Sequence, residues 1–515
     1  MISPVRRELL TITRLAAPIA AAQLGSMMMW VVDLAMVGRV GVHAIDAVSL
    51  GRLVIMGSLM MAAGVVFGID PVITQAHGAG NARLLGVTFQ RGLVLALVVS
   101  VPNAIVFRSA EPILVALGQD PVLAAEAARY VDVQLPLIPA FLLFTVLRQY
   151  QLGRGIMMPS MWVTFLGNGV NVAANYALIY GHWGMPRLEI VGAGIATVVT
   201  QTLMLVALVA WTYFGRLHVG AWTGWTRDAL RLDRLLRLVR YGLPVGIQLS
   251  LEMWAFMSAM VLAGWLGHEA LAAHSIALNL ASISYMLPLG ISIGVVTRVG
   301  NLIGERDPVG AQRAAWVAFG MGAGVMVVAA VVFVLGRRAL PALYTDDVAV
   351  LELCAAILPI AAGFQLFDGV QAVGGGILRG MGKTRPAAAF NLAGYWVLAL
   401  PAAWLLAFRG GYGVVGIWWG LALGLAVISA SLVAWVAFAM GAGVMVLAAV
   451  VFVLGRRALP ALYTDDVAVL DLCAAILPIA AGFQLFDGVQ AVGGGILRGM
   501  GKTRPAAVFN LAGYW

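Results

Sequence analysis

Apolar runs of about 20 residues recur along the whole 515-residue chain, each long enough to cross a hydrocarbon core of about 30 Å as one helix. Lipid offers a backbone no water to bond, so runs of this length are predicted to be helices. Twelve are placed, at 15–38, 47–70, 87–107, 130–150, 157–180, 190–214, 241–266, 270–297, 314–336, 350–378, 387–408 and 411–433. The chain is 62% hydrophobic and 11% charged, with a mean hydropathy of +0.95; a soluble domain is about 45–50% apolar and about 25% charged. The expected class is an all-α polytopic membrane protein. The first run has no small-residue cleavage site after a short core, so it predicts a span and not a removed signal peptide.

A formal charge of +9 would suit a nucleic-acid ligand, but its distribution does not. One set of alternate loops holds Arg6, Arg7, Arg14, Arg83, Arg148, Arg154, the 216–240 loop, Arg298, Arg306, Arg313, Arg379, Lys383 and Arg385. The other holds Arg39, Arg52, Arg108, Arg129, Arg187, Arg337, Arg338 and Arg409. The positive-inside rule then places the N-terminus in the cytoplasm, in a multi-pass cytoplasmic (inner) membrane protein. No nucleic-acid partner is implied. Cys354 and Cys473 are copies of one position, so there is no disulfide framework.

Two repeats organise the chain. "GRVGVHAIDAVSLG" from Gly38 matches "GWLGHEALAAHSIA" from Gly264 at a shift of 226, as do Arg14 and Arg240, Pro18 and Pro244, and Gly78 and Gly304. Gly155 and Pro159 meet Gly382 and Pro386 at a shift of 227. The reading is two lobes of six spans, 1–215 and 241–434, joined by a basic amphipathic linker at 216–240. Six is even, so the lobes enter from one side and are related by a pseudo-two-fold along the membrane normal, with cargo expected between them. The second repeat is recent: 435–515 duplicates 316–396 in 77 of 81 positions. It brings a 46-residue uncharged stretch from Gly410 to Gly455, about 69 Å of helix at ~1.5 Å per residue. The tail stops at Trp515, partway into a span, and is taken as a passenger or an assembly artefact.

Charges at membrane depth are costly and mark function by default. Asp33, Glu252 and Asp368 lie inside predicted spans. Gln248 sits one turn before Glu252, and Gln365 and Gln371 flank Asp368 at three residues on either side. Asn168, Asn171 and Asn175 share one face. Carboxylates with amide oxygens suit Na⁺ at Glu252 and Asp368, and a carboxyl shielded from water can instead carry a proton. Interhelical hydrogen bonding is the alternative use of these groups, above all for the asparagines. Asp70, Asp132 and Arg129 fall near span ends, where solvation at the interface is expected. "GGGILRGMGKT" has Ile377 where a P-loop needs glycine, and "HEALAAH" has Ala272 where HExxH needs histidine. No catalytic constellation is found, so an enzyme is not expected.

The stretches "LAAPIAAAQLGSMMMWVVDLAMVGRVG", "NVAANYALIYG", "GLPVGIQLSLEMW", "LAAHSIALN" and "FQLFDGVQAVGGGILRGMGKTRP" resemble the multidrug and toxic compound extrusion (MATE) family, in its NorM-like branch, over about 1–434. The resemblance implies antiport, with cationic or amphipathic drug-like compounds leaving as Na⁺ or H⁺ enters, no other cofactor, and a monomer in contact with membrane lipids. It implies a cation site at Glu252 and Asp368, and a polar site at Asp33, Asn171 and Asn175 with Thr197 beside them. Phe364 stands where relatives carry tyrosine; it keeps a π face for a cation and loses a hydroxyl ligand. The resemblance has no counterpart to 435–515 and implies no role for Asp487. Two rival readings are a lipid-linked saccharide flippase of similar architecture, which would favour a basic groove, and a non-functional recombinant chain.

Overall fold

A computed structural model describes residues 3–219, 221–222, 224–440, 453–457 and 471–478. Asp487 and most of the duplicated tail lie outside them. The chain divides into two units, Met1–Ser429 and Ala430–Trp515. In the second, Arg457 pairs with Asp471 at 3.1 Å.

The described elements are helical throughout. The first lobe holds α1 (Pro4–Gly38), α2 (Val42–Val66), α3 (Asp70–Gly78), α4 (Ala82–Arg108), α5 (Ala110–Ala116), α6 (Pro121–Asp132), α7 (Leu137–Gly153), α8 (Met158–Tyr180) and α9 (Glu189–Phe214). The second holds α10 (Leu232–Trp265), α11 (His268–Gly304), α12 (Pro308–Leu335) and α13 (Val348–Gly380). It continues with α14 (Arg385–Asn391), π-helical turns at Leu392–Ala399, α15 (Leu400–Trp404), further π turns at Leu405–Arg409, and α16 (Gly413–Ala439). Ten helical segments are long and apolar enough to cross a membrane, and α6 with α7, bent by 49°, would make eleven. The twelfth expected span is α8, 23 residues long, whose three asparagines lower its hydropathy. The amphipathic linker is only partly separate. After a 3-10 turn at Arg227–Leu230, its basic stretch runs without a break into α10.

The two-lobe repeat recurs in the caps. Asn81 and Asp307, 226 apart, accept from Leu84 N at 2.9 Å and Gly310 N at 2.8 Å. Asp120 and Asp347, 227 apart, accept from Leu123 N at 3.1 Å and Val350 N at 3.3 Å. Each satisfies backbone donors that the first helical turn leaves free. Gly41 (φ 154°) and Gly267 (φ 117°) both precede a helix in a conformation that side chains disfavour.

The lobes meet in reciprocal contacts. A Cβ on Gly64 would stand 2.2 Å from Gly246 Cα, and one on Gly290 would stand 2.7 Å from Ala20 Cβ. Shifting Gly64 by 226 gives Gly290, and shifting Ala20 gives Gly246. Gly68 against Gly242 and Gly294 against Ala16 form a second such pair, and Gly78 against Asn301 with Gly304 against Gln75 a third. Each contact and its shifted partner are the same contact seen from opposite lobes, as a pseudo-two-fold requires. Gly376 and Gly380 of α13 likewise press on Ser292 O and Val296 O of α11. The glycines of the P-loop-like stretch therefore serve helix packing.

At the end bearing the N-terminus, polar contacts also join the lobes. Arg298 holds Glu8 in a fork, at 2.7 and 2.6 Å. Gln75 Nε2 donates to Gly380 O at 3.1 Å, and Thr297 Oγ1 to Leu152 O at 3.0 Å. Asp70 is not solvated at an interface as its position near a span end suggested. It is 3% exposed, accepts from Gln149 Nε2 at 2.8 and 2.9 Å, and lies 3.9 Å from Arg379 of the other lobe. The helical span runs on from His43 to Gly78, past the end at residue 70 that the sequence suggested, so Asp70 lies inside it.

Overpacking a tight seam costs about 1–3 kcal/mol. Gly64→Ala is therefore expected to lower the thermal midpoint of the purified protein, whereas Gly324→Ala, with nothing within 4 Å of its Cβ, should hold or raise it. Equal midpoints would show that the seam is loose.

Candidate functional site

In the second lobe α10, α11, α13 and the α14 segment converge on two carboxylates. Asp368 is 5% exposed, and among the described residues the carboxylate that bears on it is Glu252. Among the described residues no cation pairs with it. Glu252, half-buried on α10, accepts from Gln371 Nε2 at 3.4 Å. Gln371 also donates to Asn391 Oδ1 at 2.8 Å and accepts from Tyr395 at 3.2 Å. Tyr285 of α11 and Tyr395 lie within electrostatic range of both carboxylates. Burying two like charges together is costly unless a cation or a proton joins them.

The first lobe solves the same problem with its own cation. Asp33 is 6% exposed, lies 3.3 Å from Arg52 and accepts from Asn175 Nδ2 at 2.6 Å. Asn175 also donates to Asn171 Oδ1 at 3.1 Å. Arg52 in turn stacks over Trp30, 5.2 Å from its ring centre. The two acidic sites therefore differ in kind. Asp33 is paired and Asp368 is not.

The remaining expected site residues divide. Gln371 joins the acidic site directly, and Gln248, buried, lies along α10 beside Gly375 of α13. Gln365 turns away and donates to Ala281 O and Ser284 Oγ of α11. Thr197 bonds its own helix at Ala193 O, 3.0 Å away. Asn168 ties α8 to Gly25 O of α1 at 2.9 Å. Phe364, 1% exposed, packs among Phe256 and Trp418 with ring centres at 6.1 and 5.6 Å. A π face for a bound cation is not open there. Sequence reasoning missed Tyr285, Asn391 and Tyr395; the signal for the last two was a polar pair one helical turn apart in an apolar run.

The groups around Glu252 and Asp368 are carboxylates, amides and phenols, with the Gln371 amide turning its Nε2 to Glu252 and its Oε1 to Tyr395, so the carboxylates are the ligating oxygens. That set fits a hard monovalent cation as well as a shared proton. Among the described residues, no group of three or more His, Cys, Asp or Glu could hold a transition metal.

Comparisons with known proteins bear on the family and the fold. A sequence model of the MatE family matches residues 18–177, 244–405 and 414–515. The third match takes in the duplicated tail, contrary to the expectation that the tail has no family counterpart; it does so because 435–515 repeats 316–396. The chain is 36% identical over 438 residues to the probable multidrug resistance protein NorM of Bradyrhizobium diazoefficiens, covering 83% of this chain and 92% of that one. It is 35% identical over 435 residues to the multidrug resistance protein NorM of Burkholderia vietnamiensis, covering 83% and 93%. The fold superposes on a eukaryotic MATE transporter with a TM-score of 0.76 at 20% identity, covering 93% of this chain and all of that one. An outward-facing multidrug resistance MATE transporter gives a TM-score of 0.77 at 19% identity, with 86% and 97% covered.

The two sites should respond oppositely to neutralisation. Arg52→Gln strands a buried carboxylate and is expected to cost about 3 kcal/mol. Asp368→Asn removes an uncompensated charge and should leave the thermal midpoint unchanged or higher. A large fall for Asp368→Asn would mean that its carboxylate has a structural partner.

Proposed function

Because the chain belongs to the MatE family, we propose that it is a secondary multidrug antiporter, exporting cationic or amphipathic compounds as Na⁺ or H⁺ enters at Glu252 and Asp368. The observation that carries this reading is the uncompensated Asp368 carboxylate beside Glu252 in the second lobe. A buried pair of negative charges attracts cations, and cargo and coupling ion then compete for one charge. Cation or proton binding favours one lobe arrangement and cargo the other, so each acts through its differential affinity for two states. An acidic site disfavours a lipid-linked pyrophosphate cargo.

The remaining assignments follow from the charge pattern. The arginine-rich end, with Glu8–Arg298 and Asp70–Arg379, faces the cytoplasm of a bacterial cell, and the protein sits in its inner membrane as a monomer surrounded by lipid. Asp33, held by Arg52 and Asn175, contributes to the coupling of the first lobe through that pair. The chain transports without performing covalent chemistry. The tail beyond 434 is a passenger, and Asp487 has no Glu252 partner of its own.

The deciding measurement is efflux of a fluorescent cation from an efflux-deficient host at equal membrane abundance. Asp368→Asn is expected to reduce efflux to the host background although Asp487 is intact. Unchanged efflux would sink the mechanism. In proteoliposomes, imposed Na⁺ and proton gradients separately distinguish the coupling ion.

A further inference from the structure

One polar contact between the lobes has no reciprocal counterpart, and the place where that counterpart would lie is not empty of charge. Glu8 of the first lobe grips Arg298 of the second, at 2.6 and 2.7 Å. The shift of 226 carries Glu8 onto Arg234 and Arg298 onto Val72. On that side of the pseudo-two-fold, then, an arginine stands where the carboxylate should be and its partner is apolar. Arg234 and Val72 line one cavity of about 400 Å³ between the lobes. Arg91, Arg237 and Tyr241 also line it, with Pro71, Leu84, Leu238 and Met381 as apolar wall.

The cavity has more cations than its own acids can match. Asp228 pairs with Arg91 at 3.3 Å and with Arg231 at 3.7 Å, and Asp233 pairs with Arg231 at 3.3 Å and with Arg234 at 3.2 Å. Two carboxylates thus serve Arg91, Arg234 and the neighbouring Arg231, which does not line the cavity, and Arg237, exposed, is a third lining arginine with no carboxylate within 4 Å among the described residues. Arg91 is itself 7% exposed and fixed by Asp228, so its charge cannot swing out to water.

We propose that this cavity binds the phosphate group of an anionic phospholipid, which supplies on this side the negative charge that Glu8 supplies on the other. A phosphodiester offers several acceptors to guanidinium forks. Basic pockets between helix ends at a membrane interface suit anionic headgroups. The apolar wall, and the position at the ends of α3, α4 and α10, favour a lipid over free phosphate: the headgroup meets the arginines while its chains follow the exposed apolar flanks of the helices. Because the wall comes from both lobes, the headgroup bridges them as the Glu8–Arg298 pair does, and so adds to closure of this end. The site is remote from Glu252 and Asp368, and its occupancy does not depend on which cation those residues take.

The test uses the full chain purified in an uncharged maltoside detergent. Phosphatidylglycerol, phosphatidylcholine or inorganic phosphate is added, and the thermal midpoint and the lipid retained per protein in native mass spectra are read. Phosphatidylglycerol is expected to raise the midpoint by a few degrees through preferential binding to the folded state, and phosphatidylcholine and phosphate are not. The Arg234→Gln/Arg237→Gln variant, altered only at accessible side chains, should keep its midpoint in phosphatidylcholine but lose the phosphatidylglycerol shift and one retained lipid. An equal rise with inorganic phosphate would overturn a lipid ligand. A phosphatidylglycerol shift that survives in the double variant would overturn this cavity as its site.

Discussion

A charge placed where there is no water must be answered by another charge, and most of this structure follows from how each one is answered. Glu8 is answered by Arg298, Asp33 by Arg52, and Asp70 by Gln149 and Arg379. These pairs cost more in desolvation than a hydrophobic core would, but once formed they fix which helices lie together. Asp368 and Glu252 are the exception. Among the described residues neither has a cationic partner, and the charged neighbour of Asp368 is Glu252 itself. The other deep carboxylates are compensated, and the proposed exchange mechanism draws on this pair because its charge is left for something that comes and goes.

The repeat explains why the lobes fit and also why they differ. The seam has stayed constant: Gly64 and Gly290, Gly68 and Gly294, and Gly78 and Gly304 still make equivalent contacts. The sites have not. Asp33 and Arg52 correspond at the same shift to Ala259 and Leu278, whereas Glu252 corresponds to Ser26 and Asp368, at a shift of 227, to Phe141. Packing constrains both copies equally because each is the other's partner. A buried charge is constrained only by its local answer, so each lobe could acquire and lose its own.

The fold was legible in the sequence to the extent that hydropathy and spacing decide it. Membrane helices have one solution for their backbone hydrogen bonds, so apolar runs mapped directly onto α1, α4, α9, α12 and α13. The bend between α6 and α7 was not legible, because it depends on turns at 133–136 inside an otherwise apolar region. Of the site, Glu252, Asp368 and Gln371 were legible as polar residues on common faces. Tyr285 was not, since it is unremarkable on its own helix and gains meaning only where four segments meet; Asn391 and Tyr395 were legible only as a polar pair one turn apart, with nothing in the sequence to say what they face. Gln365 misled because residues three apart on a helix need not face one neighbour. Asp70 misled because the span was ended at 70, whereas α3 carries it on to Gly78.

The seam has one more consequence. Where Gly64 lies on Gly246 and Gly68 on Gly242, backbone touches backbone, with no rotamer to reset and no hydrogen bond to break when the surfaces part. Such a joint offers little friction, and its fit is set by shape alone. Its most fragile positions under mutation are therefore the ones with no side chain to conserve, where a single added methyl group would jam the movement proposed for the lobes.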